Sequence, residues 1–457
     1  MRMPSTERGR RWLVLCLVAA VTVFTATVPL LRGWFDVKVY YGTVDAWMHH
    51  GGHIYDFREP GTTYGFTYPP FAALSMLPMA FVGLYTTIAG ALLLNLAAVS
   101  VVMWILFGPQ LSRHGWFGWA LAACALALFE PVRDTFSFGQ VNLLLLALVL
   151  ADAWLLSTGR GKRAGVGIGL AAAIKLTPAV FIGLLLLARR WRAAAVASGV
   201  AAAASLFAFW ALPGASRFYW GHALWDTTRV GRLDYVSNQS LQGVLARLAA
   251  PGEPSRAAWE LTVVAVLAVW GWRSHSALRT GDWYGAFALT GLTACLISPI
   301  TWVHHLVWLL PSFAVLVRER RLRIAGVIYV VMCSSVVWLW FDDASGIDGF
   351  LGSNTYVWIT LGLLLGLPAG QSRAVRLRLP QSRWATAATT PAPAPAAPAS
   401  TPRECQPTVP DARTGVTFTG ALGRVFNASG RAGASEPTGV TRPAAAKPQS
   451  SSERASS

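Results

Sequence analysis

Charge is what this sequence has least of. Only 13% of its 457 residues are charged, with 21 acids against 38 Lys and Arg, while 54% are hydrophobic. A soluble all-helical protein would carry polar residues along one face of each helix. Segments such as Ala120–Leu128 and Leu143–Leu150 have almost none. Cysteine signals are missing too: Cys16, Cys124, Cys295 and Cys333 sit inside apolar runs, Cys405 lies alone in a polar stretch, and no CxxC or Cys/His spacing occurs. No disulfide framework or zinc site is therefore expected. There is no DxD motif, and the one adjacent acidic pair, Asp342-Asp343, falls in a late loop, so no metal or other cofactor is expected. No internal repeat is visible, which disfavours the inverted-repeat transporters.

What is present is a series of apolar blocks, each close to the roughly 20 residues a helix needs to cross the hydrocarbon. The pattern predicts an all-α polytopic membrane protein with about ten full spans, at 12–31, 84–107, 116–130, 140–157, 193–212, 257–272, 283–299, 303–317, 323–340 and 355–370. The net charge of +17 lies in short clusters between these blocks, which reads as topology rather than nucleic-acid binding. With residues 1–11 inside, Arg113, the Arg160/Lys162/Arg163 cluster, Arg189/Arg190/Arg192, Arg318/Arg320/Arg321 and Arg373/Arg376 all fall on the inner side. The acids Asp36, Asp45, Asp56, Asp134, Asp226 and Asp234 gather outside. These charges imply a multi-pass membrane protein with both termini cytoplasmic and its polar chemistry on the extracytoplasmic face, and a plasma-membrane location is expected. Residues 12–370 form the membrane domain, and 371–457, with PAPAPAAPAS at 391–400, read as a disordered cytoplasmic tail.

One segment breaks the alternation. Ala164–Ala188 is about one span long, yet RGKR precedes it and RRWR follows it, so a single crossing would put one basic cluster outside. A break at Lys175-Leu176-Thr177-Pro178 resolves this, because Pro removes a backbone donor: 164–188 then becomes a re-entrant pair of half-length helices with Lys175 at its tip. A lysine in so apolar a setting costs about 2.5–3.5 kcal/mol and needs a partner or an anion; snorkelling to an interface is the plainer alternative.

The long loop 32–83 carries WFDVKVYY and YGFTYPPFAAL, too aromatic for disorder. Asp36 lies just past the first span, and Phe71–Ala80 fits a helix lying in the outer interface. Gln140 and Asn142 open one span, Asn238 and Gln239 close another outer loop, and Ser298-Pro299-Ile300-Thr301-Trp302-Val303-His304-His305 supplies two imidazoles on the same side. Amide caps and interfacial packing would account for these as well. Adjacent histidines on a helix diverge by about 100 degrees and do not suit one metal.

Taken in order, Asp36 to Tyr40, FTYPPFAAL, GQVN, the broken segment with Lys175, NQS and SPITWVHH resemble glycosyltransferase family 87 over about residues 30–310. The resemblance implies the GT-C membrane fold and transfer of mannose, with inversion, from polyprenyl-phosphate-mannose to a mannolipid or lipoglycan acceptor, often as an α-(1→2) linkage. Asp36 would be the general base, and Lys175, His304 and His305 would hold the donor phosphate. Tyr40, Tyr68, Gln140, Asn142, Asn238, Gln239 and Trp302 would contact substrate. Two readings stay open: another lipid-linked sugar such as arabinose or glucose, since no motif reads the sugar's hydroxyls, and a lipid-glycan flippase. A flippase should carry polar residues at mid-depth in several spans.

Overall fold

A computed structural model describes residues 4–27 and 33–371; the tail expected over 371–457 lies almost wholly outside them. The described chain is helical throughout, its one β-type contact being an isolated bridge between Arg58 and Gly65. Three helices are long and apolar enough to cross a membrane: α1 (Glu7–Thr27), α4 (Leu84–Ser112) and α10 (Trp191–Ala211). A fourth crossing is available if α5 (Gly115–Leu128) and α6 (Glu130–Phe138), bent by 73°, act as one. Two helices lie in the first long loop, α2 (Phe35–His49) and α3 (Pro70–Met76). Completing the first half are α7 (Asn142–Ser157), α8 (Val166–Ile174) and α9 (Val180–Leu187).

Several expected spans are shorter or interrupted. The block at 323–340 is helical only over Leu322–Cys333; Ser335 then takes a left-handed conformation (φ 57°) and a 3₁₀ turn follows. The block at 303–317 begins as a 3₁₀ segment, Val303–Leu309, before Leu310–Arg318 becomes α-helical. Hydropathy reports how apolar a run is, and these breaks come from local backbone conformation.

The segment 164–188 breaks where its proline predicts. α8 ends at Ile174, Lys175 is extended (φ −145°, ψ 131°), and α9 starts beyond a 3₁₀ turn at Thr177–Ala179. Glycines set its direction. A Cβ on Gly165 would stand 2.4 Å from the Ala193 carbonyl oxygen, and one on Gly169 2.5 Å from that of Ala197. The backbones of α8 and α10 thus run parallel at the close approach that small residues permit. The Asp152 carboxylate, on α7, accepts a hydrogen bond from the Ile168 N–H at 2.8 Å and caps α8 against the antiparallel α7. Because α9 ends only a few residues before α10 begins, both ends of the segment lie near the start of α10. The chain goes out along α8, turns at Lys175 and comes back.

One face of α10 buries Ala193, Ala197, Ala204 and Ala208, and its other face leaves Leu206, Phe207 and Trp210 exposed, the arrangement of a helix packed on one side and lipid-facing on the other.

Candidate active site

Three loops converge where α7 begins. α6 ends at Gly139 in the left-handed region (φ 70°), where a Cβ would stand 2.8 Å from Val37 Cβ. Only a glycine lets α2 approach the chain so closely there. That approach, with a hydrogen bond from the Trp34 N–H to the Ser137 carbonyl at 3.2 Å, brings Asp36 on the first turn of α2 to Gln140.

The side chains form one connected network. The Tyr40 and Tyr68 hydroxyls are 2.9 Å apart, and the Tyr68 hydroxyl donates to Gln140 Oε1 at 2.9 Å. Asn142 Nδ2 donates to the same oxygen at 3.4 Å. With Oε1 so engaged, the Gln140 amide nitrogen is left to donate to the Asp36 carboxylate. Tyr55 steadies this wall by donating to the Tyr68 carbonyl at 2.8 Å. Lys175 Nζ donates to Asn142 Oδ1 at 3.1 Å, lies 2.7 Å from His305 Nε2, and sits 5.1 Å from the centre of the Tyr68 ring. Tyr40, Tyr68, Gln140 and Asn142 are buried, while Asp36, Lys175 and His305 keep partial exposure. The reactive groups therefore face an opening that the amides and phenols line.

Burial pushes the Asp36 carboxyl up to about 6, opposed by the Gln140 hydrogen bond and the Lys175 charge. It is ionised at neutral pH and basic enough to take a proton. On the other side, the Trp302 N–H donates to His305 Nδ1 at 3.1 Å, which places the proton of a neutral imidazole on Nε2. Nε2–H and the Lys175 ammonium then face each other as two donors with no acceptor between them. An anion arriving with acceptor oxygens lets both nitrogens donate. His304 is 7% exposed, its Nε2 has no partner among the described residues, and its ring lies against Phe138 at 5.4 Å and His305 at 4.7 Å.

Asn238 and Gln239 lie elsewhere than the expected substrate surface. Both are fully buried and their amides are used up. Asn238 Oδ1 accepts from the Thr301 N–H at 2.9 Å, and its Nδ2 donates to the Leu233 and Pro299 carbonyls. Gln239 Nε2 donates to the Val236 and Ser353 carbonyls, both at 2.7 Å. Asn238 through its amide, and Gln239 through its backbone N–H to the Thr301 carbonyl at 2.7 Å, clasp the loop carrying Trp302, His304 and His305. Trp302 packs on Tyr235 with ring centres 5.9 Å apart, beside rather than inside the Asp36–Lys175 network. Sequence reasoning quoted Gly139 only as the first residue of GQVN and gave it no role of its own, although it stands between a helix end and a polar pair. It also passed over the buried Glu130, which accepts hydrogen bonds from Trp338 Nε1 and the Tyr356 hydroxyl. Among the described residues no cluster of three or more His, Cys, Asp or Glu has the geometry to hold a metal ion.

The glycosyltransferase family 87 model matches residues 66–299, which include Tyr68, Gln140, Asn142 and Lys175. The chain is 30% identical over 424 residues to the polyprenol-phosphate-mannose-dependent α-(1-2)-phosphatidylinositol mannoside mannosyltransferase of Mycobacterium tuberculosis, covering 84% of this chain and 96% of that protein. It is 34% identical to the Mycolicibacterium smegmatis protein of the same description, over 64% of this chain and 69% of that one. It is also 34% identical to a polyprenol-phosphate-mannose-dependent α-(1-2)-phosphatidylinositol pentamannoside mannosyltransferase of M. smegmatis, over 68% of this chain and 76% of that one. No solved structure matches the chain. An all-helical membrane protein whose sequence follows these enzymes over most of its length, this chain belongs to glycosyltransferase family 87 and is a glycosyltransferase.

Proposed function

We propose that the protein transfers mannose from polyprenyl-phosphate-mannose to a mannolipid or lipoglycan acceptor, inverting the anomeric centre to form an α-(1→2) linkage at the outer face of the plasma membrane. The observation that carries the reading is the opposition of one carboxylate, Asp36, to one amine, Lys175, across the Gln140–Asn142 pair. A single inverting displacement at a sugar that already bears a phosphate leaving group requires one base and one anion clamp. The paired carboxylates of a glycosidase are not needed.

In this mechanism the acceptor hydroxyl gives its proton to Asp36 as its oxygen bonds to the anomeric carbon, and the bond from that carbon to the phosphate oxygen breaks. Lys175 and His305 hold the departing polyprenyl phosphate, with His304 Nε2 supplying a further contact. Such preorganised donors stabilise charge that grows in the transition state. Tyr40, Tyr68, Gln140 and Asn142 fix the distance between base and clamp. Asn238 and Gln239 act through the loop they hold, and Trp302 stands at the entrance.

The reading includes a GT-C-type fold with about ten crossings, 164–188 entering and leaving on the cytoplasmic side, both termini cytoplasmic, and 371–457 as a tail apart from the 12–370 membrane domain. Basic residues at both ends of 164–188 and the reversal of the chain at Lys175 support it. The test is mannose transfer by the purified chain from polyprenyl-phosphate-mannose to phosphatidylinositol mannosides, with the product's linkage determined. Transfer from another lipid-linked sugar alone, or none at all, would overturn the reading.

A further inference from the structure

A cavity of about 650 Å³ lies between α1, α4, α5 and α6, within the range of sites that hold a ligand. Its walls are mainly apolar from Leu96 to Met103 on α4, where the Ser100 hydroxyl is turned to the Leu96 carbonyl at 2.7 Å, and from Trp119 to Ala127 on α5. At about 1.5 Å per residue, that wall runs about 12 Å along the helices. Its other end is closed by Gly33 and Trp34, immediately before the helix that carries Asp36.

Two observations decide what fits there. First, α6 separates the cavity from the phosphate clamp. Val132, Arg133, Phe136 and Ser137 line the cavity, whereas Thr135 and Phe138, on the opposite side of the helix, meet His304 through a 3.4 Å hydrogen bond to its carbonyl and a 5.4 Å ring contact. A lipid whose phosphate lies on Lys175 and His305 has this helix between its headgroup and the cavity. Second, Arg133, the single charged residue on the lining, is committed elsewhere. Its Nη2 donates to Ser335 Oγ at 2.7 Å, its Nη1 to the Leu128 carbonyl at 3.3 Å, and the guanidinium stacks over Phe24 at 5.2 Å, leaving Nε without a hydrogen-bond partner among the described residues. Apart from that one nitrogen the wall offers mainly apolar surface, which suits a hydrocarbon chain.

We propose that this cavity seats an acyl chain of the glycolipid acceptor, so that its headgroup passes Trp34 and presents a sugar hydroxyl to Asp36 from the side opposite the donor phosphate. The inference rests on the reading of the acceptor as a mannolipid. It assigns the two lipids of the reaction to opposite sides of α6.

The test uses the full chain in nanodiscs with polyprenyl-phosphate-mannose and two acceptors ending in the same sugar: a diacylated phosphatidylinositol mannoside and a water-soluble short α-mannoside. Ala123→Trp and Ala127→Phe, each filling the cavity at a different depth, should lower the ratio of kcat/KM for the lipid acceptor to that for the soluble one at least tenfold. Leu206→Trp, on the exposed face of α10, should leave the ratio at its wild-type value. A mannolipid bearing a photoreactive acyl chain should label residues 96–103 or 119–127 of the wild-type chain, which keeps the question answerable if a variant fails to fold. An unchanged ratio in folded variants, or labelling elsewhere, overturns the proposal. So does a raised KM for a long-chain donor but not a short-chain one, which would give the cavity to the polyprenyl group. If the wild type mannosylates neither acceptor, the functional reading itself falls.

Discussion

Lys175 Nζ lies 2.7 Å from His305 Nε2, joining a break in one helix to a loop 130 residues further along the chain. Among the described residues, neither has a carboxylate within ion-pair distance. Two nitrogens held together without an acid between them are arranged for an anion that comes from outside.

Replacing Lys175 by Met should therefore lower kcat by about 100- to 1000-fold, the range for losing one preorganised donor at a site of developing charge. Lys175→Arg should recover part of this, because the charge returns with a different reach. Steady-state kinetics on both variants check this; a Lys175→Met enzyme with wild-type kcat would remove the clamp from the mechanism.

Activity should fall on the acid side with an apparent pKa near 6. The Asp36 carboxyl is raised to about 6, so the base is ionised above that pH and becomes protonated below it, with about a tenfold loss per further unit. Gln140 favours the charged form, and Gln140→Leu should move the acid limb to higher pH. A pH profile of kcat/KM for the acceptor measures both; an acid limb that stays in place or moves down in the variant contradicts the assigned contact.

Gly139→Ala should destabilise the protein by about 2 kcal/mol or more. The residue would hold a left-handed conformation at a cost of about 1–2 kcal/mol, and its Cβ would overlap Val37, 2.8 Å away. A thermal melt in detergent reads the loss, and an unchanged midpoint would contradict the packing of α2 on the end of α6.

Asn238→Leu should weaken the loop that presents His305. It strands the Thr301 N–H and the Leu233 carbonyl, each costing about 1–3 kcal/mol when buried and unpaired, while the Pro299 carbonyl keeps the Ser240 hydroxyl at 2.9 Å. We expect a lower melting point together with a raised KM for the donor. A stable variant with unaltered donor KM would show that the loop holds its place without the clasp.

How much of this was legible follows from what kind of signal each element leaves. The break at Lys175 was readable because Pro178 and two flanking basic clusters are local facts of composition, and the helix ends at Ile174. Asp36, Tyr68, Gln140, Asn142, Lys175 and His305 were named from motif order, and the fold brings them into one network. Asn238 and Gln239 looked the same in sequence but face inward, since an amide that clasps a loop and one that greets a sugar are the same residue type. Expected span bounds departed most from the observed helices at 303–317 and 323–340, where a 3₁₀ start and the left-handed Ser335 interrupt runs that hydropathy reads as continuous.

The central claim is that Asp36 is the base in a mannosyl transfer from a lipid phosphate. It is tested most directly by comparing wild type with Asp36→Asn, given polyprenyl-phosphate-mannose and a short α-mannoside acceptor, at matched expression and melting temperature. The account predicts transfer by the wild type and a loss of about 100- to 10,000-fold in kcat for the variant. A folded Asp36→Asn protein that transfers mannose at the wild-type rate would contradict it.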